Sequence, residues 1–142
     1  MALIVAGVVI VGLCVALVII VSADPGPSPV DVAMAYEDAW DHLDFEGLWS
    51  MSGEELRDGL NRPEFVAAKR AAYEHQTGLR GLADRVVVDA VSEERDFAVV
   101  HTRVDLRDGG RASDALQLAK RGGRWLVIAY ELEPDGAGPT PR

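Results

Sequence analysis

Few residues in this chain have the type and spacing that chemistry asks for. The best-aligned set is His101, Arg103 and Asp105, at alternate positions of an apolar run. On a strand, that spacing stands an imidazole, a guanidinium and a carboxylate side by side on one face. Such a line could pass a proton or grip a charged partner. The same alternation gives the opposite face Ala98, Val100, Thr102, Val104 and Leu106. This second set is the more apolar, so it is expected inward. His101, Arg103 and Asp105 are then a solvated outer face or a partner-facing strip. His42 has Asp41 and Asp44 beside it, too few ligands for a metal without help from elsewhere. His75, near a helix end, suits the negative helix terminus. Cys14 is the single cysteine, which rules out an intrachain disulfide and a Cys/His zinc site. There is no Gly-rich phosphate loop, nucleophile elbow or zinc motif. No catalytic residue, metal or cofactor is therefore assigned.

Aromatic residues make the second set: Tyr36, Trp40, Trp49, Tyr73 and Tyr130. In the last strand-like segment Leu126, Ile128, Tyr130 and Leu132 alternate with Trp125, Val127, Ala129 and Glu131. The leucine-bearing set is expected inward, and it takes Tyr130 with it. The five aromatic side chains either pack a core or line one pocket. A proton-transfer pocket would also need an inward carboxylate or imidazole tuned by burial.

These residues need elements to position them. Ser28, Pro29 and Asp31 read as cap, first position and acidic first turn of a helix reaching about Leu43. Its buried face is expected to be Val32, Ala33, Tyr36, Ala39, Trp40 and Leu43, with Asp31, Glu37, Asp38, Asp41 and Asp44 on the other side. A short piece carries Phe45, Leu48 and Trp49. Ser52-Gly-Glu-Glu55 reads as a capping box for a short helix ending near Gly59. Asn61, Pro63 and Glu64 open a third helix, to about Gln76, expected to bury Phe65, Ala68, Ala72 and Tyr73. From Leu82 the period changes to two. Strands are expected over about 83–92, 96–106, 112–121 and 124–132, joined by short turns that make antiparallel neighbours. The organisation is an N-terminal segment 1–23, a linker 24–28, a domain 29–133 and a disordered Gly/Pro-rich tail 134–142. Helices followed by an antiparallel meander give an α+β layered domain.

The N-terminal segment sets the address. Ala2 to Ala23 holds no charged residue. As a helix it would span ~30 Å, the thickness of a bilayer's hydrocarbon core. It reads as a transmembrane anchor. An alternative is a signal cleaved after Ala23, where Val21-Ser22-Ala23 offers small residues, leaving the domain secreted. The net charge of −9 is concentrated close behind it: nine acids lie between Asp24 and Glu55, and the first Lys or Arg is Arg57. Cytoplasmic flanks carry basic excess, so the N-terminus is placed in the cytoplasm and the domain outside it. An acidic collar does not fit nucleic acid, which wants Lys and Arg. Gly7 and Gly12 would let the membrane helix dock closely on a larger membrane protein.

Three stretches resemble the nuclear-transport-factor-2-like (NTF2-like), cystatin-like cone family. Pro29-Val-Asp-Val-Ala-Met-Ala-Tyr36 with Trp40-Asp-His-Leu-Asp44 is similar to its opening helix. Phe45-Glu-Gly-Leu-Trp-Ser50 resembles its next short helix, and Gly122-Gly-Arg-Trp-Leu-Val127 its closing strand. The resemblance covers about 29–133 and implies helices packed on a curved four-stranded sheet, with a cone whose mouth takes an apolar ligand in some members. An anchor plus such a domain is similar to small actinobacterial envelope proteins, including those of lipid-import complexes. The function expected is a non-enzymatic, single-pass accessory or interaction subunit of a larger envelope membrane complex. A binding module for a lipid or other apolar small molecule is the alternative, ahead of an isomerase- or dehydratase-type enzyme.

Overall fold

The computed structural model describes residues 26–133. Ala2 to Ala23, with Gly7, Gly12 and Cys14, lies outside them, as does the tail. Among the described residues no helix is long and apolar enough to cross a membrane.

Helix α1 (Pro29–His42) starts as its sequence dictates. Ser28 accepts the Asp31 N–H, and Asp31 accepts the Ser28 N–H in return, with Pro29 in the first turn. Leu43 ends it in the left-handed region. Helix α2 (Phe45–Met51) is capped by Asp44, whose carboxylate accepts the Gly47 N–H at 3.0 Å. Helix α3 (Arg62–Tyr73) has the expected Asn61/Glu64 capping box but stops three residues before Gln76. It buries Phe65 and Val66, while Ala68 and Ala72 are exposed rather than inward. The Ser52/Glu55 capping box does not form. Ser52 is fully buried, its hydroxyl donating to the Leu48 carbonyl at 2.7 Å and its backbone bridging Val127. Only a 3-10 turn, Glu54–Leu56, follows.

The strands are β1 (Ala83–Glu94), β2 (Phe97–Leu106), β3 (Arg111–Arg121) and β4 (Arg124–Glu133). They form one antiparallel sheet in chain order. The three helices cover one face, with Leu48, Val100, Leu116, Leu118 and Val127 fully buried between the layers. Three register shifts bend the sheet, at Asp84 and Asp89 in β1 and at Ile128 in β4.

The shift at Ile128 corrects the expected face of β4. Trp125 and Val127 are buried, and Leu126 and Ile128 are not. Leu118 pairs with Val127, but Gln117 pairs with Ala129, so the strand skips Ile128 and its phase reverses. Tyr130 therefore shares the helix-covered face with Val127, three residues away, which strict alternation forbids.

Candidate functional site

A cavity of about 800 Å³ opens between helices α1 and α3 and the inner face of the sheet. Its walls are Trp40 and Tyr73 from the helices, Val86, Val104 and Leu106 from the sheet, and Leu79 and Leu82 from the connection before β1. Asp41 fixes that connection to α1: its carboxylate accepts the Ala83 N–H at 2.8 Å and its carbonyl the Gly81 N–H at 2.8 Å.

The inner end of the cavity is polar. Glu37 is 5% exposed and Asp114 2%. Glu37 lies on the helix side, four residues after Ala33 and three before Trp40. Asp114 lies on β3, two residues before Leu116, and pairs across the sheet with Thr102. The Thr102 hydroxyl donates to Glu37 Oε1 at 2.7 Å, and the Tyr130 hydroxyl donates to Oε2 at 3.3 Å. Asp114 Oδ1 is buried with no hydrogen-bond partner.

Burial governs the protonation here. It pushes the Glu37 carboxyl up to about 7; the neighbouring Asp114 charge adds to this, and the Thr102 and Tyr130 hydroxyls work against it. Burial likewise raises Asp114, whose interactions with Tyr130 and Glu37 pull the other way. Tyr130 is held neutral, raised by burial and then by the two carboxyls. Two neighbouring buried carboxyls do not both ionise easily, so the pair holds a proton to higher pH than a solvated carboxyl would. Thr102→Val removes the strongest hydrogen bond to ionised Glu37. It is expected to push the Glu37 carboxyl above about 7, read as a shifted midpoint in a carboxyl-carbon NMR titration. An unmoved midpoint would mean that Thr102 does not hold the charge.

The aromatic set divides. Trp40, Tyr73 and Tyr130 line the cavity, with Trp40 stacked on Tyr130 at 6.4 Å and against Tyr73 at 5.7 Å between ring centres. Tyr36 is buried behind Tyr130 at 5.6 Å and does not line it. Trp49 is elsewhere, under the Arg57 guanidinium at 3.9 Å, which also donates to its carbonyl.

His101, Arg103 and Asp105 stand on the outer face of the sheet, away from the cavity and half-buried among ion pairs. His101 Nδ1 is 3.3 Å from Glu133, Arg103 Nη1 is 2.9 Å from Asp89, and Asp105 takes Arg111 at 3.2 Å. His42 Nδ1 lies 2.9 Å from the Asp38 carbonyl.

Glu37 is a correction. Its charge placed it on the exposed side of α1, yet its spacing from Ala33 and Trp40 puts it inward. Asp114 was legible too: Ala112, Asp114, Leu116 and Leu118 alternate along one face of β3.

No family model and no curated protein matches the chain. Among solved structures, a Campylobacter jejuni protein described as an NTF2-like transpeptidase superposes with a TM-score of 0.51 at 19% identity, covering 71% of this chain and 97% of that one. A SEC-C motif containing protein from Rhodopseudomonas palustris gives 0.51 at 22% identity, over 75% of this chain and 80% of that one. An NTF2-like protein of unknown function from Silicibacter pomeroyi gives 0.47 at 19% identity, over 72% and 90%. At such identities the likeness concerns fold alone. The fold is NTF2-like: three helices packed on a curved, four-stranded antiparallel sheet.

Proposed function

We propose that the domain is a binding module for an apolar small molecule, held in the cone between Trp40, Tyr73 and the β1–β2 wall. One observation carries this reading: a solvent-open cavity of about 800 Å³, walled by apolar and aromatic side chains, with a few polar groups at its inner end. Small-molecule sites have this size and composition, roughly 300–1,000 Å³ with sparse, converging polar groups. A core filled solid by the aromatic residues would have argued against it. Ala112 lines the cavity beside Val104, so Ala112→Trp should plug it. Saturation-transfer NMR of the full-length chain with 2-phenylethanol should show binding that this substitution removes. Equal signal in both proteins would place the ligand elsewhere.

The uncharged run Ala2 to Ala23 favours a second, compatible reading: a single-pass accessory subunit of a larger envelope membrane complex, with the cone outside the cytoplasm. Similarity to the membrane-anchored actinobacterial envelope type belongs to this reading. Pull-down from native membranes with mass spectrometry tests it, and purification of the chain alone would count against it. An isomerase- or dehydratase-type activity has an inward acid available in Glu37. It ranks behind binding because both oxygens of Glu37 are already engaged by Thr102 and Tyr130.

A further inference from the structure

The polar groups of the cavity are charged predominantly one way. Its lining holds three carboxyls, Glu37, Asp41 and Asp114, against one cation, Lys69. Asp41 is occupied by the Ala83 N–H. Lys69 is at the half-buried rim, its Nζ 5.8 Å from the Trp40 ring centre and 5.4 Å from that of Phe65. Among the described residues it forms no ion pair. The Thr102 and Tyr130 hydroxyls donate to Glu37, and Tyr130 and Glu37 also interact with the Asp114 carboxyl, but Asp114 Oδ1, on a side chain 2% exposed, receives no donor. A buried acceptor without a donor is rare and costly.

We propose that this end of the cavity takes a protonated amine, so that the ligand of the cone is an apolar, ring-bearing molecule with an ammonium head. The inference rests on the small-molecule reading above. An ammonium brings donors and no acceptor, which is what Asp114 Oδ1 lacks. Its charge answers the carboxyl pair, which has no buried cation among the described residues. Trp40, Tyr73 and Tyr130 offer ring faces, and the Lys69 ammonium beside Trp40 shows that a cation sits well against that ring. A neutral alcohol would satisfy Oδ1 but leave the charge uncompensated. A carboxylate or phosphate head would meet the negative charge that the carboxyl pair carries.

Three probes on closely matched skeletons separate these outcomes: 2-phenylethylamine, 2-phenylethanol and 3-phenylpropanoate, titrated calorimetrically into the full-length chain near neutral pH. The amine is expected to bind about tenfold more tightly than the alcohol, with the propanoate weakest. Asp114→Asn should cost the amine about tenfold and leave the alcohol within about threefold. Amine and alcohol binding equally, with Ala112→Trp still abolishing both, would overturn the ammonium head while leaving the cone as a binding site. A preference for the propanoate would give the head to Lys69 and overturn it as well. So would an amine preference that survives in Asp114→Asn. Failure of all three probes to bind would overturn both readings. The wild-type series needs no variant, so misfolding of Asp114→Asn cannot protect the proposal.

Discussion

Glu37→Gln is expected to raise the stability of the domain at pH 8 and to flatten its dependence on pH. Glu37 titrates at about 7 in the folded protein against 4.5 for an unperturbed glutamate. Between those values the folded chain holds a proton that the unfolded chain has lost. Stability is therefore full below about 4.5, falls as pH rises, and levels off above about 7. Each unit of difference corresponds to about 1.4 kcal/mol, so the total is on the order of 2–3 kcal/mol after allowing for the coupling to Asp114. Glutamine keeps the shape and an oxygen for the Thr102 hydroxyl, does not ionise, and brings an amide donor beside Asp114. Urea unfolding of both proteins at pH 5 and pH 8, followed by tryptophan fluorescence, reads the effect directly. A variant less stable than wild type at pH 8 would show that the ionised carboxylate earns more from its hydrogen bonds than burial takes away.

Leu48→Ala is expected to cost about 3 kcal/mol. Leu48 has no exposed surface and belongs to the core cluster between helices and sheet. Helix α2 spans only Phe45–Met51, and so short a helix has little stability of its own in water. Its place depends on Leu48 filling the space against the sheet and on the Leu48 carbonyl, which accepts both the Ser52 N–H at 2.9 Å and the Ser52 hydroxyl. Leu132→Ala is the control. That side chain is 71% exposed, and its loss should stay within about 0.5 kcal/mol. Similar midpoints for the two variants in urea would refute the role given to Leu48.

Ser28 with Asp31, and Asn61 with Glu64, cap helices as their types and spacing require, because a cap is made by residues three apart and needs no distant partner. Ser52 and Glu55 have the same spacing and fail to cap. Ser52 is drawn into the core beside Val127, and Glu55 pairs with Arg121 across the fold. In β2 the alternation held from Ala98 to Val104, since no register shift interrupts its pairing with β3. In β4 it reversed at Ile128, where the register shift depends on the neighbouring strand.

The candidate site shows the same division. Trp40, Tyr73 and Tyr130 were identifiable as aromatic residues with a core-or-pocket role, and Thr102 as an inward position. What sequence alone determined about this protein is local: the first and last helices with their Ser28/Asp31 and Asn61/Glu64 caps, the four strands in chain order, and the inward face of β2. Those follow from hydrogen bonds and periodicities that close within a few residues. Only the tertiary structure decided that Glu37 and Asp114 meet. They are 77 positions apart in the chain, and each carries a charge that favours water when considered alone. Burying them together is tolerable because burial raises both carboxyls, so the pair gives up its protons less readily, and Thr102 and Tyr130 supply hydroxyls to Glu37. That compensation exists only once α1, β2, β3 and β4 are packed.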